Sequence, residues 1–356
     1  MNELITLQEV VLGIMLVLIL VFLLIIAVLI YSFREFKIFS NQQTWKGLID
    51  DQIMEVIVNG PGVPIKKDPG IQRWMRLGAF RRYFLGLLME SERKFAGTAV
   101  RALFGIFQLY DLEGEAYRLL RSNKPHLEAR AIQALTVMEV REAMPQIKSK
   151  LTDKHPLVFQ EAEYAMVRLE GFTGLSTFLD GLEHPISEWQ QLRMLNSLTK
   201  IPTEGVAQLE NWLQSTNRYV ISFCLKIIRK FQLIQFHDQV QALLCHQDVK
   251  IQLEVVKTLL SIESDQTMAY LIQQFPQLPQ EVQYEILKGI GYAREMAYAD
   301  FVKVQLQEYP QDQGRVFAAE SLMAIGEQDY LETASQQAQQ DEAYLLILNH
   351  ALQRKL

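Results

Sequence analysis

Cysteine is nearly absent: Cys224 and Cys245 are the two in a chain of 356 residues. They build no disulfide framework and lack metal-ligand spacing, and both sit in apolar helical runs, where a thiol behaves as a small buried hydrophobe. Catalytic motifs are missing as well. There is no GxSxG, no CxxC, no HExxH, and no Gly-rich loop placed to cradle a phosphate. Acidic neighbours such as Asp50 and Asp51, or Glu161 and Glu163, are adjacent or alternate, so on a helix they do not share a face. His155 and His184 directly precede a proline and His126 directly follows one, a repeated place that marks turn residues. A formal charge of −6 excludes a global attraction to nucleic acid. The expectation is therefore no catalytic residue, no metal, no cofactor, no nucleic-acid partner and no enzymatic activity.

What the chain does have is one long apolar run. Residues 10–31 carry no charge, with Gly13 the one weak helix former. Twenty-two residues at about 1.5 Å each span roughly 33 Å, enough for a hydrocarbon core. A cleaved signal peptide would carry a basic start, a shorter apolar core and a small-residue cleavage site. Here the start holds Glu3 and Glu9, and the exit reads Tyr31, Ser32, Phe33, Arg34. A retained single-pass anchor is the reading. Arg34, Lys37 and Lys46 follow the span, which predicts a short extracytoplasmic N-terminus (1–9) and a cytoplasmic C-terminal part at the cell membrane. Tyr31, Phe33, Phe36 and Phe39 suit an interfacial aromatic belt.

Residues 32–70 read as a juxtamembrane connector. Asn59 to Pro64 and Asp68, Pro69, Gly70 are turn formers, and Ile53 to Val58 suits a short strand or a helix end. Charge is unevenly spread. Over residues 33–101 twelve Lys and Arg face seven Asp and Glu, a net +5, whereas over 265–356 six face thirteen, a net −7. Lys66, Lys67, Arg73, Arg76, Arg81 and Arg82 cluster around Trp74. Either this is a solvated helix face, or it meets an acidic partner or anionic lipid headgroups.

From residue 71 onward the pattern is paired helices. The first pair is predicted over 73–89 and 93–110, with Ser91 capping its second helix. Helix-opening signals then recur at Pro125, Pro156, Pro185, Asn217, Asp248, Pro279 and Gln313. Closing apolar residues fall at Met138, Leu169, Ile201, Phe231, Ile262, Ile290 and Ile325, a period of about 31 residues that fits one helix–turn–helix unit. Inner faces are predicted from Leu127, Ala131, Leu135; Val158, Ala162, Ala165; Trp189, Leu192, Leu195, Leu198; Val220, Phe223, Ile227; Ile251, Val255, Leu259; and Phe317, Ser321, Leu322, Ile325. Aromatic residues are assigned to these apolar stripes. A polar helix over 332–340 and an apolar one over 344–352 read as a terminal cap.

Residues 150–158 (KLTDKHPLV) and 247–250 (QDVK) resemble HEAT repeats, and the resemblance covers residues 71–356. It implies an all-α fold, a right-handed α-solenoid of about eight or nine HEAT-like hairpins preceded by one transmembrane helix. It departs around Asn217, where the Asp/Pro turn is missing. The resemblance further implies that second helices line a concave surface. On that ground Arg130, Gln160, Gln191, Arg218, Lys250, Glu254, Gln283 and Arg315 join the basic cluster as candidate partner contacts. The function implied is a membrane-anchored cytoplasmic scaffold for protein partners. The alternatives are anionic lipid or nucleic-acid binding through residues 66–82, and an enzyme like the repeat-built bilin lyases or base-excision glycosylases.

Overall fold

The computed structural model describes residues 7–60, 63–95, 97–262, 264, 266–338 and 341–353, the side chains of 7–11 and 33–40 excepted. The proposed belt residues Phe33, Phe36 and Phe39, the flanking Arg34 and Lys37, and the turn and cap residues Pro61, Gly62, Gln339 and Gln340 lie outside that description. Among the described residues the chain is all-helical, without strands. It divides into two compact units, Met1–Leu169 and Glu170–Leu356.

The first unit opens with α1 (Leu7–Asn59), a helix of 53 residues with two different halves. Leu12–Ser32, 21 residues of mean hydropathy 3.6, is long and apolar enough to cross a membrane, and none of it is buried. Farther along the same helix, Trp45, Ile49, Gln52, Ile53 and Val56 are buried. Their spacing makes one helix face, and that face packs on α3 and α4 below. The connector expected over 32–70 is thus corrected: an apolar stripe keeps the chain helical to Asn59. The break comes only at Gly60, whose φ of +73° lies in the region that disfavours a Cβ.

α2 (Pro69–Trp74) starts with proline at its first turn and with Asp68 Oδ1 accepting from the Ile71 N–H at 2.8 Å. α3 (Gly78–Glu92) follows after a break, so the single helix predicted over 73–89 is in fact two. Leu77 is extended (φ −91°, ψ 121°), and Arg81 Nη1 donates to the Met75 carbonyl at 2.7 Å in place of a helical N–H. Ser91 lies in the last turn of α3 and caps nothing downstream. α4 (Thr98–Leu109) instead begins after Gly97, whose φ is +64°. α5 (Leu112–Leu120), α6 (Pro125–Val137), the short α7 (Met144–Lys148) and α8 (Pro156–Glu170) complete the unit.

The second unit is a run of hairpins: α9 (Phe172–Asp180) with α10 (Glu188–Ser197), α11 (Gly205–Leu213) with α12 (Arg218–Phe231), and α13 (His237–Ala242) with α14 (Val249–Ser261). Then come α15 (Thr267–Gln274) with α16 (Gln280–Ala293), α17 (Ala299–Glu308) with α18 (Asp312–Ile325), and α19 (Gln328–Gln337) with α20 (Glu342–Gln353). The second helices pack on one another in a row, α10 on α12, α12 on α14, α14 on α16, α16 on α18, α18 on α20. Small residues permit the close approach. Ser321 Oγ donates to the Leu287 carbonyl of the previous second helix at 2.6 Å, and a Cβ at Gly289 would meet Leu260 Cδ1 at 2.5 Å. Helix starts at 125, 156, 188, 218, 249, 280 and 312 run through both units in steps of 30 to 32 residues.

One register differs from the expectation. Trp189 and Leu192, predicted inward, are 67% and 48% exposed, while Gln190, Gln191, Met194 and Leu195 are buried. α10 opens at Glu188, not at Pro185, because Ser187 and Gln190 form a reciprocal capping box; packing on α12 buries the face that holds Gln191, Met194 and Leu195. Turn roles for two histidines are visible: His155 Nδ1 accepts from the Leu157 N–H at 3.3 Å and His246 Nδ1 from the Asp248 N–H at 2.9 Å.

Two outcomes are expected in denaturation of the purified chain. Met194→Ala should cost about 2–5 kcal/mol and Trp189→Ala less than about 0.5 kcal/mol; equal effects would restore the sequence register. Glu163 on α8 is buried, and desolvation pushes its carboxyl up to about 7. A folded-state pKa raised above the unfolded value of a carboxyl makes the native state bind the proton more tightly. Its contribution is therefore intact below about pH 4.5 and is lost as pH rises toward about 7. Glu163→Gln should then be more stable than the parent at pH 8, with the gap closing below about pH 4.5. A pH-independent difference would remove the assignment.

Candidate partner-binding site

Side chains on the row of second helices serve two different ends. Near the start of each helix a long polar side chain reaches back to the preceding turn. Gln191 Nε2 donates to the Ile186 carbonyl at 2.9 Å, Gln252 Nε2 to His246 at 2.8 Å, Gln283 Nε2 to Phe275 at 2.7 Å, and Arg315 Nε to Tyr309 at 2.8 Å. A turn carbonyl with no helical partner is costly when buried, and these donors bond to turn carbonyls; the Phe275 carbonyl also accepts from the Leu278 N–H at 3.2 Å. Gln283 is held a second time by the Tyr309 hydroxyl, which donates to its Oε1. Burial pushes that phenol up to about 12, so it stays a donor at any ordinary pH. The helix position that the resemblance assigns to partner contact thus closes turns in three of its own candidates.

The other predicted residues separate by environment. Lys66, Lys67, Arg73 and Arg76 are exposed, with no ion pair among the described residues. Arg81 is not a solvated residue: its Nε donates to Glu115 Oε2 at 2.8 Å, and Glu115 is 3% exposed. Arg118, which the sequence reading missed, donates to the same oxygen, and Arg82 Nη1 stands 4.0 Å from Oε1. Arg130 is exposed and covers Gly86, and Gln160 is half-buried. Arg218 pairs with Asp248 at 3.3 Å and lies 4.9 Å above the Tyr219 ring. Glu254 pairs with Arg229 at 3.2 Å, and Lys250 is exposed.

A different residue marks a pair of surface grooves. Tyr292, near the end of α16, is 85% exposed. It lines two neighbouring grooves. One, of about 520 Å³, lies toward α18 and α20 with Lys288, Phe317, Glu320 and Met323; the other, of about 340 Å³, lies toward α14 with Lys257, Leu260 and Glu285. Gly289 and Gly291 floor them, since residues that let helices approach also leave the surface without side chains. Lys288 Nζ sits 4.2 Å from the Phe317 ring centroid. The result is an apolar floor with both charge signs at the rim. Assigning every aromatic to a core stripe is therefore corrected by Tyr292 and Trp189. The usable signal was register: Val282, Ile286 and Ile290 set the buried face, and residue 292 falls off it.

No family model and no curated relative matches the chain. Solved structures similar to it include an engineered protein, target OR497, at 16% identity over 79% of this chain and 87% of that one, with TM-score 0.35. The CpcE–CpcF complex of the phycocyanin lyase of Nostoc sp. PCC7120 is similar at 14% identity, over 67% and 93%, TM-score 0.31. Human deoxyhypusine hydroxylase is similar at 14%, over 87% and 96%, TM-score 0.28. The lyase and the hydroxylase are helical-repeat proteins. The expectation of no enzymatic activity is corrected by them, because the lyase and the hydroxylase are enzymes.

The position of Arg81 yields a stability test. Arg81→Gln should lower the unfolding free energy by about 2–4 kcal/mol, because it strands part of a buried carboxylate, whereas Lys67→Gln should stay within about 0.5 kcal/mol. Urea titration of the two variants measures both, and indifference to Arg81→Gln would mean the ion pair is unimportant to folding.

Proposed function

We propose that the chain is a membrane-anchored helical-repeat adaptor, in which α1 fixes HEAT-like hairpins at the cytoplasmic face and the grooves beside Tyr292 receive a protein partner. The observation that carries the reading is the double character of α1. Leu12–Ser32 is wholly exposed and apolar, yet the same helix continues unbroken into the buried Trp45, Ile49, Ile53 and Val56. Exposing 21 such residues to water is unfavourable by the transfer free energy of nearly every side chain, and a bilayer removes that cost. Basic residues after the span favour the N-terminus-out orientation. Tethering then raises the effective concentration of the binding surface toward any partner in the same membrane.

Distance along α1 favours a protein over lipid as the main partner. Trp45, the first buried residue among those described, lies thirteen positions past Ser32 and so about 20 Å farther along the helix. Lys66 and Lys67 sit beside Asp68, whose N–H donates to the Tyr110 hydroxyl, itself bonded to Gln52 at 2.9 Å. Gln52 is twenty positions past Ser32, roughly 30 Å of helix, against a screening length of about 8 Å.

The anchor is tested by alkaline carbonate extraction and by C-terminal reporter fusions. The full chain should remain in the membrane pellet with its C-terminus inside; release by carbonate, or an external C-terminus, would end the proposal. For the binding face, a photo-crosslinking residue at position 292 should form a protein adduct in native membranes, while one at the buried position 286 should form none. Absence of an adduct at 292 removes this face from the reading.

A further inference from the structure

The start of α3 gathers more positive charge than its surroundings use. Arg81 and Arg118 both donate to Glu115 Oε2, and Arg82 Nη1 remains 4.0 Å from Oε1, too far for a hydrogen bond. One carboxylate thus faces three guanidinium groups, a local surplus of two positive charges.

Geometry concentrates the surplus. The three guanidinium groups converge on Gly78, the first residue of α3: the place a Cβ would take there is 3.2 Å from Arg118 Nη2, 3.4 Å from Arg81 Nη2 and 3.4 Å from Arg82 Nη1. Leu77, at the cap position of this 15-residue helix, offers no side-chain hydrogen bond. The first N–H groups of a helix have no partner within it and carry the positive end of its dipole. Arg82 and Arg118 side chains are about half exposed, so the cluster opens to solvent. Arg76, two residues before Gly78, is also exposed.

We propose that Arg81, Arg82 and Arg118, converging on the start of α3, form a binding site for a phosphate group. A guanidinium is planar and presents paired N–H donors at the spacing of two phosphate oxygens. A doubly charged phosphate also matches the surplus of two, which a second carboxylate would leave half neutralised. Arg81 is the fixed member, held by Glu115 and by the Met75 carbonyl. Arg118 is likewise held by Glu115, and Arg82, 4.0 Å from it, is the member free to close on the ligand. Either a soluble phosphate or a phosphomonoester lipid headgroup supplies this chemistry.

Arginine modification distinguishes the sources. The full chain in phosphatidylcholine nanodiscs is treated with phenylglyoxal, and modification of Arg82 and Arg118 is followed by mass spectrometry, with the exposed Arg101 on α4 as reference. Added inorganic phosphate should slow both sites by about fivefold at high occupancy, while sodium chloride of equal ionic strength should not. Protection that appears only when phosphatidic acid is built into the disc assigns the site to a lipid headgroup. In Arg82→Gln, protection of Arg118 should be lost. Protection by neither phosphate source, equal protection by chloride, equal slowing of Arg101, or undiminished protection of Arg118 in Arg82→Gln would each overturn the proposal.

Discussion

No hairpin of this chain can bury its own apolar face, and that constraint organises the rest. In the second unit α12 carries Val220, Phe223 and Ile227 on the side that needs cover, and cover comes from the next second helix, α14, through Ile251, Val255 and Leu259. α14 in turn depends on α16, α16 on α18, and α18 on α20, whose Ile347, Leu348 and Ala351 are buried while Leu346 faces out. Stability of such a row is close to a sum of neighbour terms, so the last member must be polar or apolar according to side. The same dependence explains the small residues. Gly289, Gly291 and Ser321 sit where two second helices come closest, and the surface they leave behind is a pair of grooves.

Closing each turn creates the next requirement. Chain reversal between helices leaves carbonyls without helical partners, and Gln191, Gln252 and Arg315 reach back to bond such carbonyls, while Gln283 adds a second donor at Phe275. Lys230 acts across hairpins, donating to the carbonyls of Leu195, in the last turn of α10, and Leu198, just past it. These side chains are polar, belong to helix surfaces and would pass for recognition residues by position alone. Their donors are already engaged within the fold. What remains for recognition is the set of side chains the fold does not use, including Tyr292 in the second unit and Lys66, Lys67, Arg73 and Arg76 in the first.

α1 has two different halves in one element. Its first is long and apolar enough to cross a membrane and its second packs on α3 and α4; a helical backbone suits either setting because its hydrogen bonds are internal. The stretch between Ser32 and Trp45 sets a spacing of helix between the apolar span and the first packed residues. That spacing bears on which charges can feel a headgroup, a distinction no charge count contains.

Much of the architecture was legible from the amino-acid order. Pro125, Pro156, Asn217, Asp248 and Pro279 mark helix starts because each residue type suits a terminus with free N–H groups, and the recurrence of about 31 residues marks hairpins. The apolar run was legible because nothing but length and hydropathy enters that judgement. Other features were decided only by tertiary structure. Ser187 outranked Pro185 as the start of α10 because a reciprocal cap satisfies two donors at once, and the packing of α10 on α12 buried Gln191 and Met194 and left Trp189 to solvent. α1 outran its connector because Trp45, Ile49, Ile53 and Val56 found a surface to cover on α3 and α4. Arg81 looked like one of six solvated cations until Glu115, thirty-four residues away in sequence, was folded against it. Periodicity reports what a helix wants to bury; which long-range neighbour answers, and so which side chains stay free to act, is fixed only when the helices pack.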